Sequence, residues 1–257
     1  MTLLLALVLG SAISKAVATQ EQSSHYSCEL FNTLPQHIMY GEDEDWTYLA
    51  DTTSTSADGN VIATTGEPGS DRKRGRGILM TRRDKEYPWT TTVIEGEVEN
   101  SRFGYDVSVA GNGVLLAVGA VWDEGTSPFY NSGGVYLYEV PISNTNVPFQ
   151  KLIGDRPHIR NGDHFGHRVA LDHDGNTLVV TAPHHGGING NMRDTGALEV
   201  YKRANDIEQF VSVAVVYGDH ATDRFGMGAG WTCLLMARYL LSVVLTLDSL
   251  KPPRTKA

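Results

Sequence analysis

Apolar residues in this chain come in short runs separated by polar turns, not at helical spacing, and the order of the runs repeats. Residues 105–110 lead into the turn Gly111-Asn112-Gly113 and then into the apolar run 114–120. Residues 167–171 lead in the same way through Asp172-His173-Asp174-Gly175-Asn176 into the run 177–182. Period-two alternation and short continuous apolar runs predict β-strands, and Asp-Gly and Gly-Asn-Gly supply the positive φ angles of tight hairpin turns. Each pair continues through a polar loop into a third strand, 133–139 or 195–202, and a fourth, near 149–153 or 209–216. Upstream, Asp58-Gly59-Asn60 precedes a run at 61–68, and strands are expected over 76–82 and 89–94.

Phe103-Gly104, Phe165-Gly166 and Phe225-Gly226 mark the repeat, at spacings of 62 and 60 residues. A small four-stranded antiparallel sheet cannot bury both faces by itself, so successive units must stack, and radial stacking of such sheets makes a β-propeller. A β-sandwich accounts for the strands but not for the repeat. The fold expected is therefore all-β: a partial propeller of about three four-stranded blades, open or truncated, over residues 45–229. The blades fall at about 45–100, 101–162 and 163–224, with another beginning at 225. The phenylalanine of each Phe-Gly pair is expected between blades, with its glycine allowing close backbone approach.

The order Phe-Gly, Ser-Val-Ala, turn, Leu-Ala-Val-Gly-Ala, loop, Gly-Gly-Val-Tyr-Leu-Tyr, spanning residues 103–138, resembles the FG-GAP repeat of integrin α-subunits. That resemblance implies an extracellular recognition or adhesion module. Members of the family typically close a ring of more blades than this chain holds.

Both ends depart from the repeat. Residues 1–18 carry an apolar stretch and end in Ala16-Val17-Ala18, which reads as a signal peptide; a lead segment follows at 19–44. Secretion to the extracellular space is expected, which permits a disulfide between Cys28 and Cys233 but does not specify one. Residues 230–257 are an atypical apolar tail. A membrane anchor over 231–247 is the alternative localisation, but Arg238 and Asp248 interrupt or end a stretch already short of the ~20 apolar residues a span needs. The reading preferred here is a frameshifted or mispredicted segment, because codons shifted from Leu235 onward can spell the turn and second strand of a further repeat. An open blade edge at this end would favour self-association.

A net charge of −9 argues against nucleic acid as a partner, since phosphate backbones are bound by clustered Lys and Arg. The one basic run, Arg72 to Arg76 with Arg82 and Arg83, reads as a solvated loop and strand. Asp172-His173-Asp174-Gly175-Asn176 is the closest approach to a calcium loop, yet a hairpin turn explains it with fewer ligands than calcium takes. His158, His164, His167, His173, His184 and His185 cluster in sequence without metal-ligand spacing and read as loop histidines. No Gly-x-Ser-x-Gly elbow, phosphate loop or dinucleotide fingerprint occurs. The chain is accordingly expected to lack a catalytic site, a metal and any cofactor.

Binding is expected on the long loops between second and third strands, because loops held on a rigid sheet are where function concentrates. The candidate residues are Trp122, Asp123, Phe129 and Tyr130 on one loop, and His184, His185, Asn189 and Asp194 on the other. The expected partner is an extracellular protein or glycan. The competing class is a propeller hydrolase or lyase acting on cell-surface carbohydrate or phospholipid, with Asp123 and Asp194 as its acids.

Overall fold

The structure is a computed structural model that describes residues 48–67, 74–123, 131–142, 147–154, 162–205 and 207–228. The signal peptide, the lead segment, both cysteines, the tail, Phe129 and Tyr130 lie outside the described residues.

Alternating and apolar runs become strands where the sequence pattern places them. The first sheet contains β1 (Tyr48–Thr55), β2 (Val61–Glu67), β3 (Arg76–Thr81) and β4 (Thr90–Glu95). The second contains β5 (Phe103–Val109), β6 (Leu115–Ala120), β7 (Gly134–Glu139) and β8 (Gln150–Ile153). The third contains β9 (Arg168–Leu171), β10 (Thr177–Ala182), β11 (Ala197–Lys202) and β12 (Val211–Tyr217). Each is an antiparallel meander with its strands in chain order. Side chains of the turns hold the first hairpins: Asp172 Oδ1 accepts the backbone N–H groups of Asn176 and Thr177 at 2.8 and 3.0 Å, as the hairpin-turn reading of this Asp-rich segment expects.

The sheets are joined at their first strands. Ser54 Oγ accepts the Val109 N–H at 2.9 Å, and Ser108 Oγ accepts that of Leu171 at 3.0 Å, so β1, β5 and β9 lie side by side along one edge. A second link recurs between each third strand and the next Phe-Gly pair, as isolated parallel bridges of Gly75 with Phe103, Gly133 with Phe165 and Gly196 with Phe225. A β-carbon on Gly133, whose φ is 85°, would stand 2.1 Å from the Phe165 carbonyl oxygen, so the crossing requires glycine there.

Stacking then supplies the core that a single sheet lacks. Leu79, Ile94, Phe103, Val118 and Tyr136 are buried together between the first and second sheets. Leu137, Phe165, Val180 and Tyr201 are buried between the second and third. Phe103 meets Tyr136 edge-on at 5.1 Å, and Phe165 meets Tyr201 at 6.1 Å, a geometry that aromatic quadrupoles favour. Burying each such ring contributes about 2–3 kcal/mol. The described residues are thus all-β, with three four-stranded blades of propeller type. Among the described residues no helix is long and apolar enough to cross a membrane.

Candidate functional site: the loop end of the second and third sheets

The connectors that lead into each Phe-Gly pair place a side chain at the same point in each blade. Arg102, His164 and Arg224 immediately precede the phenylalanines, and all three have left-handed φ angles, of 50°, 55° and 48°. L-residues are strained there, and such strain tends to gather at sites of function. The following phenylalanine holds the turn by donating its N–H to the carbonyl before the bridging glycine, at 2.9 Å from Arg74 and at 3.0 Å from Ser132 and Thr195.

The loops after β6 and β10 meet these connectors. Trp122 N–H donates to the Ser101 carbonyl at 3.0 Å, and His184 N–H to the Asp163 carbonyl at 3.2 Å. The guanidinium of Arg102 consequently lies 3.5 Å over the Trp122 ring, while the rings of His164 and His184 meet edge-on at 4.4 Å. The two pairs occupy equivalent positions, one cation on indole and one imidazole on imidazole.

His184 continues into a charged chain. Its Nδ1 is 3.1 Å from Asp194 Oδ1, whose other oxygen is 3.4 Å from Arg224 Nη2 and 3.6 Å from Arg193 Nε. Burial pushes the Asp194 carboxyl up, but the His184 hydrogen bond and Arg224 outweigh it and hold the group below its usual range. The tautomer that donates Nδ1–H to Asp194 leaves Nε2 as the acceptor nitrogen of the ring. Behind it, His167 Nε2 is 3.3 Å from the Tyr105 hydroxyl, and Arg168 lies 5.9 Å from the Tyr105 ring. Burial, with Arg168, His164 and His184 as neighbouring charges, pushes His167 down to about 4.

The sequence candidates divide accordingly. Trp122, His184 and Asp194 come together with the connectors, and Asn189 is exposed on the loop. Asp123 corrects the expectation of a surface acid: it is wholly buried, accepts the Tyr136 hydroxyl, and lies 3.1 Å from Lys151 Nζ. That pairing also removes Asp123 from the acids available to a hydrolase. His185 is buried as well; its Nδ1 accepts the Gly187 N–H at 3.0 Å and its Nε2 faces Asp163 at 3.8 Å, leaving no ring nitrogen for an incoming ligand. Arg102 and Arg224, each directly before a Phe-Gly pair, and Tyr105, directly after one, escaped the sequence reading, although their place beside the repeat motif was the signal available. Among the described residues no group of three His, Cys, Asp or Glu side chains is arranged to hold a metal ion.

No protein-family model and no curated protein sequence matches the chain. Among solved structures the chain is similar to the periplasmic gluconolactonase PpgL of Pseudomonas aeruginosa, at 11% identity and a TM-score of 0.34, over 78% of this chain and 62% of that one. The chain thus spans less than two thirds of that protein's length. The expectation that the chain is no enzyme is corrected by this finding, since the solved structure is that of an enzyme and blades of this type serve binding and catalysis alike. A likeness at this level carries no activity, substrate or site into this chain.

Proposed function

We propose that the chain is an exported recognition module of the FG-GAP type that engages an extracellular protein or glycan through the loop end of its second and third blades. The observation that carries this reading is the repeated stacked pair, Arg102 on Trp122 and His164 on His184, set by strained connectors at equivalent points of adjacent blades. Stacked aromatic and arginine groups held on a rigid sheet are the side chains that anchor protein and sugar partners. Binding of the full chain to an array of extracellular glycans and to intact cells tests the reading. Trp122→Ala combined with His184→Ala is expected to reduce binding at least about tenfold at an unchanged melting temperature; equal binding by the double variant refutes the assignment.

A second reading, a hydrolase acting on cell-surface carbohydrate or phospholipid, rests on the His184–Asp194 pair. Its carboxylate orients the imidazole as in a general base, with Nε2 free to take a proton from attacking water. His184→Asn abolishes turnover on this reading, and an active His184→Asn protein eliminates it.

A further inference from the structure

The two junctions between blades share a frame but not their contents. In the core, Val180, Glu199 and Val215 align across the third sheet as Val118, Tyr136 and Lys151 do across the second, so Glu199 stands where the first junction has Tyr136. The result is a narrow cleft edged by Glu199 and Tyr217. The loop end carries a different asymmetry, between its acids and its arginines. Asp123, Asp163 and Asp194 are all buried and engaged, the first with Tyr136 and Lys151, the second with His185, the third with His184 and Arg224.

Two arginines have no such partner. The Arg102 guanidinium lies 3.5 Å over the Trp122 ring and, among the described residues, makes no hydrogen bond and no ion pair. Arg168 donates from Nη1 to the His167 carbonyl at 2.9 Å, and among the described residues no carboxylate lies within ion-pair distance of it. Asp106, whose negative charge Arg168 favours, is turned to the Val169 N–H instead. The exposed Asp51, on β1 at the place equivalent to Tyr105, pairs with neither arginine.

Both arginines adjoin Tyr105. Its N–H donates to the Arg102 carbonyl at 3.2 Å, and its ring lies 5.9 Å from the Arg168 guanidinium. Its hydroxyl meets His167 Nε2, and His167 Nδ1 is buried with no hydrogen-bond partner among the described residues. Donors thus outnumber acceptors here, although the chain as a whole carries a net charge of −9. Stacking on Trp122 fixes the plane of Arg102 and leaves its N–H edge for a two-oxygen acceptor. The indole and the phenol present flat amphipathic faces beside the cations, which suit a charged sugar ring better than the flexible side chains of an acidic peptide.

We propose that the ligand of the loop-end surface is an anionic glycan whose carboxylate or sulfate is held by Arg102 and Arg168 beside Tyr105, a proposal that rests on that surface being the binding face. Trigalacturonate is the probe, its trimethyl ester the uncharged match, and sulfated galactotriose separates sulfate from carboxylate. Isothermal titration of the full chain is expected to show saturable submillimolar binding of at least one charged trisaccharide, with the ester about tenfold weaker. Arg102→Gln and Arg168→Gln each lower affinity for the charged sugar about tenfold and leave that for the ester unchanged. Arg83→Gln, on the β3–β4 hairpin at the opposite end of the blades, changes neither. Arg102→Gln breaks no hydrogen bond, so its melting temperature stays at the parent value even where Arg168→Gln lowers it. Equal affinity for acid and ester, equal effects of Arg102→Gln and Arg83→Gln, or no saturable binding of either charged trisaccharide overturns the proposal. A triglutamate peptide bound as tightly as the better trisaccharide overturns the glycan class. None of these outcomes touches the loop-end reading itself, which the Trp122→Ala, His184→Ala variant decides on cells and neutral glycans.

Discussion

The junction of the first and second sheets and that of the second and third are built on one plan and closed by different chemistry. Both place the glycine that leads into a third strand against the phenylalanine that opens the next blade, and both join their first strands through a serine hydroxyl. Away from that frame they diverge. The first is sealed by Asp123, Tyr136 and Lys151; the second holds a cleft edged by Glu199 and Tyr217. At the inner edge, Asp106 accepts the Val169 N–H across the second junction at 2.8 Å, alongside the Tyr105–His167 pair. The repeat therefore fixes backbone crossings, while a few side-chain positions decide whether a junction is sealed, titratable or open to solvent.

Breaking the shared frame has the largest expected effect. In Gly133→Ala the new methyl group meets the Phe165 backbone, with no flexible side chain to give way. A loss of about 4 kcal/mol or more is expected, read from the urea midpoint at constant slope. Gly59 also has a positive φ, of 69°, but no atom lies within 4 Å of its β-carbon position, so Gly59→Ala should cost only about 1 kcal/mol. Similar losses in the two variants would mean that the crossing is not what joins the blades.

The inner edge sharpens the comparison through pH. Burial pushes the Asp106 carboxyl up to about 6 and the His167 imidazole down to about 4. Asp106 binds its proton more readily folded than unfolded, so its contribution is complete below its ordinary value and is lost as pH rises through about 6. His167 has the opposite sign: its contribution is present above the ordinary histidine value and is lost as pH falls through about 4. The two oppose each other between these limits, each on the order of 3 kcal/mol. Asp106→Asn should therefore leave stability that climbs from pH 4 to 6.5, and His167→Gln stability that falls over the same range, by urea titration at each pH. Parallel profiles in the two variants would place the titration elsewhere.

Much of this frame was legible in the sequence. The Phe-Gly spacing, the turn glycines and the strand alternation are local properties, and they located the three sheets and the buried phenylalanines. The sequence also pointed to Trp122, His184 and Asp194 through their place in the long loops. It failed where the outcome depends on partners far apart in the chain. Asp123 looked like a loop acid because nothing local announces that Tyr136 and Lys151 converge on it. Arg102 and Arg224 were not singled out, because their left-handed backbone and their partners Trp122 and Asp194 appear only once the connector folds. The cleft was invisible for a related reason: it is the absence of a phenol at one register position, readable only against the neighbouring blade.

Two substitutions at that register position test whether the junctions are variants of one another. Tyr136→Phe keeps the ring against Phe103 and removes the hydroxyl from Asp123, which retains Lys151. A loss of about 1.5–3 kcal/mol is expected for a buried hydrogen bond to a charged group. Glu199→Tyr is the reverse experiment, with the smallest expected effect. Its ring enters the cleft beside Phe165 as Tyr136 sits beside Phe103, which adds apolar burial. Against that gain, the Ser212 hydroxyl loses its carboxylate partner, and the new hydroxyl finds His185 in place of Asp123. The balance is a gain of about 1 kcal/mol, of the size usual for cavity filling, measured as a higher melting temperature. A Glu199→Tyr protein less stable than the parent would show that the backbone around the cleft has settled to fit Glu199, and that register alone does not make the two junctions interchangeable.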